Sequence, residues 1–307
     1  MGAGAGAALG SYVGISALMA RGLTRTQRRM VHDTPGSLGL DYAELRFRSR
    51  GDGVILAGWL IRPPHEGLIQ SPEVDDASLK WIVIVHGHSA HRADPEAGTL
   101  SLARDMLNAG YAVMMFDMRG CGQSGDGAGS AGQREQRDLL GALDYLANLG
   151  VPRVNIGVIG FSLGAVVSLM ACSAPGTAGA VVADSAFADL QLRIDQEMVG
   201  MSAPARLFRP GMRIAARLLY RLDIGSVSPM RRIGHSDTPV FLIHGERDDL
   251  VPLIHFRLLS RALEAGVGET WLVDGAGHVK AYRSDPDEYA RRVCEFFERH
   301  LGESLSG

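Results

Sequence analysis

The chain has 307 residues, of which 46% are hydrophobic, and a formal net charge of −3 at pH 7. This length and apolar content suit a single α/β domain with a full core, and the charge argues against a general nucleic-acid binder. Three scattered cysteines without a C-x-x-C pair indicate reduced thiols and a cytoplasmic-facing body: Cys121, Cys172 and Cys294.

The N-terminal segment from Gly2 to Ala20 carries no charge, and four arginines follow it at positions 21, 25, 28 and 29. About twenty uncharged residues can cross a bilayer as a helix, although five glycines weaken this case. Arginines after the segment would keep the rest of the chain in the cytoplasm. We expect residues 1–30 to be a membrane anchor, with a packed leader or a cleaved signal peptide as the alternatives.

The next segments predict alternating strands and helices. Leu40–Ser49 and Val54–Ile61 form an expected antiparallel pair, and His65–Ser78 is a polar surface excursion. The apolar run Trp81–Val85 is typical of a strand with both sheet faces covered. The later elements predict a mainly parallel sheet: helix Glu96–Asn108, strand Tyr111–Phe116, helix from about Gln133 to Leu149, strand Val154–Ile159 and strand Gly179–Ala183.

Two short motifs resemble binding sites of other kinds. Gly120-x-Gly122-x-x-Gly125 has the spacing of a dinucleotide fingerprint, but a loop, not a helix, is expected to follow its third glycine. His86-x-His88-x-x-His91 is similar to a metal-binding motif, but Ala90 stands where the aspartate ligand would be. We therefore expect neither a cofactor nor a metal.

A candidate nucleophile follows the strand Val154–Ile159. Gly160-Phe161-Ser162-Leu163-Gly164 is G-x-S-x-G between a strand and the small-residue helix Ala165–Ala171, the context in which this motif carries chemistry. Such a turn holds the serine in strained backbone at a helix N-terminus, where developing negative charge is favoured.

Between the strand ending at Asp184 and Pro239 lies an insert, residues 186–237, that is too long for a plain connection. Its core, Pro210–Leu222, predicts an amphipathic helix with proline in the first turn. Five arginines recur at three- and four-residue steps and form a basic stripe, either a solvated face or a contact for anionic lipid: Arg206, Arg209, Arg213, Arg217 and Arg221.

A serine nucleophile needs a histidine to take its proton and a carboxylate to orient that histidine. The strand Val240–Ile243 runs into a loop with Asp248 and Asp249, and the strand Thr270–Val273 leads to His278 on a glycine-flanked loop. These residues follow the serine in the chain order Ser, Asp, His, which is one of the orders known for such triads. Asp184 also ends a strand and is the competing carboxylate.

These motifs, with His86-Gly87 after the third strand, resemble those of the α/β-hydrolase superfamily, and most closely its bacterial carboxylesterase and acyl-peptidase-like branch. The resemblance implies an α/β-hydrolase fold over residues 38–303, with a helical cap insert at about 186–237. It also implies roles for five residues: Ser162 as nucleophile, His278 as base and then acid, Asp248 as orienting carboxylate, and the backbone amides of His88 and Leu163 as oxyanion hole.

The sequence thus predicts a serine hydrolase that cleaves small carboxylic esters through an acyl-enzyme and needs no cofactor. A peptidase or thioesterase would use the same residues, and a membrane-tethered binding protein without turnover is the alternative from another class. Membrane association is expected through residues 2–20 and the basic cap helix. The physiological substrate and the oligomeric state stay open.

Overall fold

A computed structural model describes residues 2–63, 76–199 and 207–302, and side chains from Gly10 onward. The described strands form one sheet in the order β1-β2-β4-β3-β5-β6-β7-β8. Their bounds are β1 (Ala43–Arg48), β2 (Ile55–Ile61), β3 (Trp81–Val85), β4 (Ala112–Phe116), β5 (Ile156–Phe161), β6 (Ala180–Asp184), β7 (Val240–Gly245) and β8 (Gly268–Val273).

The described helices alternate with these strands along most of the chain. They are α1 (Gly2–Gly22), α2 (Thr99–Asn108), α3 (Glu135–Asn148), α4 (Leu163–Ala171), α5 (Leu190–Val199), α6 (Arg209–Tyr220), α7 (Met230–Ile233), α8 (Ile254–Leu263), α9 (Ala281–Ser284) and α10 (Pro286–His300).

The sheet is antiparallel only where β2 pairs with β1 and β4, and β3 to β8 pair in parallel. Alternate residues of β3 enter two separate cores: Val83 and Val85 face α3 and α4, whereas Ile82 and Ile84 face α2 and α10. Helices therefore cover both faces, and the predicted mainly parallel α/β sheet is confirmed. Because parallel strands end at the same edge, the loops after β3, β5, β6, β7 and β8 meet there.

Several predicted boundaries differ from the structure. The helix expected from Glu96 begins only at Thr99, because Asp94 accepts the amide of Glu96 at 3.0 Å and Gly98 has a φ of 68°. Both features hold the chain in turns before the helix. The glycine-rich motif at 120–125 is followed by loop until Glu135, as expected.

The N-terminal segment forms α1, and this helix packs against the helix of the insert, α6. The Tyr12 hydroxyl donates to the carbonyl of Leu207 at 3.0 Å and accepts from the amide of Gly211 at 3.1 Å. The Tyr12 ring also stacks on Phe208 with ring centroids 5.1 Å apart. Within the described residues, no helix combines the length and apolarity needed to cross a membrane. The predicted spanning anchor is therefore not supported, and the glycines of α1 are the physical reason.

The insert between β6 and β7 contains α5, α6 and α7. The basic stripe is shorter than expected: Arg209 pairs with Asp195 of α5, and only Arg213, Arg217 and Arg221 are exposed. Arg206 lies outside the described residues, as does the part of the predicted polar excursion from residue 65 to 75. The helix ends at Tyr220 because Arg221 has a φ of 52°.

Candidate active site

Ser162 lies at the tip of the turn between β5 and α4, with φ 51° and ψ −115°. This backbone conformation is strained for a residue with a side chain. The flanking glycines permit the turn, because a Cβ on Gly160 would lie 2.4 Å from the carbonyl oxygen of Gly164. A Cβ on Gly164 would lie 2.2 Å from that of Val85. The sequence G-x-S-x-G thus folds tightly because both glycines are sites of close backbone approach.

Three side chains from three different loops meet at this turn. His278 Nε2 is 2.9 Å from Ser162 Oγ, and His278 Nδ1 is 2.7 Å from Asp248 Oδ2. The serine and the histidine are 116 residues apart in sequence. Because the parallel strands end at the same edge of the sheet, the fold brings these distant residues together. An imidazole between a hydroxyl and a carboxylate can accept the hydroxyl proton and be held in one tautomer.

Asp248 is buried and held in a fixed orientation by the backbone. Its Oδ1 accepts the amides of Leu250 at 3.0 Å and Val251 at 2.7 Å, which leaves Oδ2 for His278. Burial alone would raise the pKa of Asp248, but the hydrogen bonds from His278 and Val251 outweigh it and hold the pKa below its ordinary value. This carboxylate is therefore ionised at neutral pH. Asp249 is exposed instead.

Asp184, the competing carboxylate, lies behind the site and does not bond to the imidazole. Its Oδ1 accepts the hydroxyl of Ser185 at 2.9 Å, and its backbone carbonyl accepts the amide of Ser162 at 2.8 Å. Burial raises the pKa of Asp184 to about 7. The hydroxyl of Ser185 in turn accepts the amide of Val279, next to His278, at 3.1 Å. Sequence reasoning missed Ser185, because nothing in its local pattern indicates this contact.

Two backbone amides are the predicted oxyanion donors, those of Leu163 and His88. Leu163 is the first residue of α4, so its amide has no partner within the helix. Gly87 brings the loop after β3 close to the serine, since a Cβ built on it would lie 3.4 Å from Ser162 Cβ. An anion at the N-terminus of α4 would be stabilised by free N–H groups and by the helix dipole.

The histidine motif after β3 serves as an anchor for this loop. The amide of Met118 donates to His86 Nε2 at 2.9 Å, so Nδ1 carries the proton and donates to the carbonyl of Gly87 at 2.7 Å. Both ring nitrogens are therefore occupied by the backbone. Among the described residues, no three His, Cys, Asp or Glu side chains are grouped to hold a metal ion.

Comparisons with known proteins match the fold and the site region. The model of the prolyl oligopeptidase family matches residues 99–304. The chain is 28% identical over 223 residues to the uncharacterized protein YqkD of Bacillus subtilis, which covers 71% of this chain and 70% of that protein. It is 26% identical over 279 residues to an α/β hydrolase domain-containing protein of Arabidopsis thaliana, covering 88% of this chain and 83% of that one.

Solved structures of hydrolases also resemble the fold of this chain. An esterase from Pyrococcus furiosus has a TM-score of 0.71 and 27% identity, over 91% of this chain and 100% of the esterase. An acylaminoacyl peptidase from Pyrococcus horikoshii has a TM-score of 0.62 and 20% identity, over 90% of this chain but only 45% of the peptidase. The likeness to the peptidase therefore extends to the fold alone.

Proposed function

The chain belongs to the prolyl oligopeptidase family and is a serine hydrolase of the α/β-hydrolase superfamily, and we propose that it cleaves carboxylic esters with Ser162, His278 and Asp248. The observation that carries the proposal is the continuous chain of short contacts from Ser162 Oγ through the imidazole to Asp248. This arrangement supports the proposal, because a nucleophile, a base and an orienting carboxylate must meet in this order.

In this reaction the Ser162 oxygen attacks the ester carbonyl while His278 Nε2 takes the hydroxyl proton. The amides of Leu163 and His88 donate to the oxyanion, an interaction worth about 3–4 kcal/mol per donor in other hydrolases. The C–O bond then breaks, and His278 returns the proton to the leaving alcohol. Water, activated by the same imidazole, releases the acid and restores the serine. No step needs a metal or a redox cofactor.

An ester is favoured over an amide because the Pyrococcus furiosus esterase is matched over its whole length, whereas the acylaminoacyl peptidase is matched over less than half. A peptidase or a thioesterase would use the same three side chains. We expect p-nitrophenyl esters of graded acyl length to be cleaved with higher kcat/KM than aminoacyl p-nitroanilides or acyl-CoA thioesters. A higher kcat/KM on the anilides would replace the esterase proposal with a peptidase.

Turnover is distinguished from simple binding by covalent labelling. A fluorophosphonate reacts with an activated serine and is not turned over, so we expect labelling of the wild type at Ser162. Ser162→Ala should be unlabelled. Absence of labelling in the folded wild type would favour the alternative, a binding protein that retained the fold without catalysis.

For the domain organisation we propose one hydrolase domain, residues 38–303, with a cap at about 186–237 and a leader at 1–30. The leader and the cap helix α6 together are proposed to rest on anionic lipid, without spanning it. Ile214 and Leu218 form an exposed apolar ridge on α6, and Arg213 and Arg217 form a parallel ridge beside it. Apolar residues of α1 are exposed as well: Val13, Ile15 and Leu18.

Vesicle sedimentation tests this surface. We expect the protein to bind phosphatidylserine-containing vesicles at low salt, to lose binding as salt screens the arginines, and to bind neutral vesicles weakly. Arg213→Gln with Arg217→Gln should abolish the dependence on anionic lipid, whereas Arg261→Gln, a control in α8, should not. If the wild type binds anionic vesicles no better than neutral ones, the arginines are only a solvent-exposed face of the helix.

A further inference from the structure

The segment between α1 and the first strand contacts the loop that supplies one oxyanion donor. The amide of Gln27 donates to the hydroxyl oxygen of Ser89 at 3.0 Å, across 62 residues of sequence. Ser89 is buried and directly follows His88. We name residues 26–30 the strap. From this contact, which rests on the proposed function for its catalytic meaning, we infer that the strap positions the His88 amide for catalysis.

Ser89 has a left-handed backbone conformation, which is unfavourable for a residue with a side chain. Its φ is 53°, and the amide of Ala90 closes a turn onto the carbonyl of Gly87 at 3.4 Å. In such a turn, His88 and Ser89 are the two central residues. Relaxation of Ser89 to a negative φ would reorient the peptide bonds on both sides of it and open the turn that closes on Gly87, whose peptide bond with His88 carries the His88 N–H. The bond from Gln27 opposes this relaxation, because it holds the Ser89 side chain against the strap.

The strap itself is fixed by Arg28 on the neighbouring loop. Arg28 Nη1 donates to the carbonyls of Gly122 and Ser124, both at 2.7 Å, and to that of Cys121 at 3.3 Å. One guanidinium group thus satisfies three backbone acceptors, which gives it a fixed direction. Its further pair with the exposed Asp126 contributes little. Because Gln27 directly precedes Arg28, fixing Arg28 also fixes the position of the Gln27 amide.

The strap is therefore a positioning element, and it touches no substrate atom itself. Its effect should fall on the transition state, in which the oxyanion is formed, and not on binding of the neutral ester. An effect on the transition state distinguishes a positioning role from a purely structural one. Loss of a structural element would lower the fraction of folded protein without changing the turnover of each active molecule.

The test uses full-length variants. Gln27→Pro removes the donating amide, and Gln27→Ala is its matched control, since it keeps that amide. Ser89→Ala removes the acceptor. Arg28→Ala frees the strap, with exposed Arg25→Ala as its control. Each variant is titrated with fluorophosphonate, and kcat is expressed for each labelled site. KM for a p-nitrophenyl ester and Ki for an alkyl boronic acid, which forms a tetrahedral adduct on the serine, are measured alongside.

We expect Gln27→Pro and Ser89→Ala each to lower kcat for each labelled site about tenfold, less than the hundredfold or more that loss of a whole oxyanion donor costs. Ki for the boronic acid should rise in parallel while KM changes less than about twofold. The double variant should lose no more than either single one, since both remove the same bond. Gln27→Ala and Arg25→Ala should match the wild type, and Arg28→Ala should resemble Gln27→Pro.

Unchanged kcat and Ki in Gln27→Pro and Ser89→Ala, or losses that multiply in the double variant, would overturn the inference. Failure of the serine chemistry on which the proposed function rests has a different signature. It would leave the wild type itself unlabelled by fluorophosphonate, so the two outcomes cannot be confused.

Discussion

Replacing Asp248 by asparagine tests the hydrogen-bond chain at its most buried member. In the wild type, Oδ1 accepts the amides of Leu250 and Val251, and Oδ2 faces His278 Nδ1 at 2.7 Å. Asparagine would keep its oxygen on the two amides, so its NH₂ group would point at Nδ1. The imidazole would then carry its proton on Nε2, where it cannot accept the proton of Ser162. We expect kcat to fall about 10⁴-fold, or about 5.4 kcal/mol in the barrier.

The assay is hydrolysis of a short-chain p-nitrophenyl ester, with turnover expressed per mole of protein. Each variant is first shown to have the melting temperature of the wild type. Asp249→Asn makes the same chemical change one residue further on, at an exposed position. It should leave kcat within about twofold of the wild type, as surface substitutions usually do. Asp184→Asn should cost less than tenfold, because Asp184 does not bond to the imidazole. Equal losses at Asp248 and Asp249, or the largest loss at Asp184, would refute the choice of carboxylate.

Three further predictions follow from the same geometry. Ser162→Ala should abolish hydrolysis and fluorophosphonate labelling with little change in melting temperature, and more than a few per cent residual activity would reassign the nucleophile. Gly164→Ala should destabilise the fold in chemical denaturation, because its Cβ would lie 2.2 Å from the carbonyl oxygen of Val85; Gly14→Ala, with open space around its Cβ, should not. Finally, burial raises the pKa of Asp184 to about 7, so the folded state holds a proton that the unfolded chain releases near pH 4. The free energy of unfolding should therefore fall by up to about 1.4 kcal/mol per pH unit from pH 4 to 7 relative to Asp184→Asn; parallel pH profiles of the two proteins would contradict this.

The sheet and the turn at Ser162 were predictable because their signals are local. A parallel strand buried on both faces needs a continuous apolar run, as in Trp81–Val85, and Gly160 and Gly164 are required by the backbone around Ser162 itself. Asp248 and His278 were identifiable because each follows its own strand and parallel strands end together. The roles of these residues remain predictions for the experiments above.

The N-terminal helix could not be predicted in the same way. An uncharged run rich in alanine and glycine has the same composition whether it crosses a bilayer or packs on another helix. In the structure α1 packs on α6, and the Tyr12 hydroxyl bonds the backbone at Leu207 and Gly211, about two hundred residues away. Contacts of this kind involve backbone groups, which every residue has, so no pattern in the sequence reports them. The same holds for the bond between Gln27 and Ser89.

These long-range contacts connect the N-terminal segment with both α6 and the loop after β3. α1 is fixed to the cap helix through Tyr12, and the strap that follows α1 is fixed to the loop after β3 through Ser89. If the proposed lipid contact displaces α1 and α6 together, the displacement acts on the strap, whose Gln27 bonds Ser89 next to His88. Ser162 and Asp248, the proposed nucleophile and orienting carboxylate, lie instead on the loops that follow β5 and β7 of the parallel sheet. Under these proposals, such a displacement would act on the predicted oxyanion donor His88 and leave the hydrogen-bond chain through His278 in place.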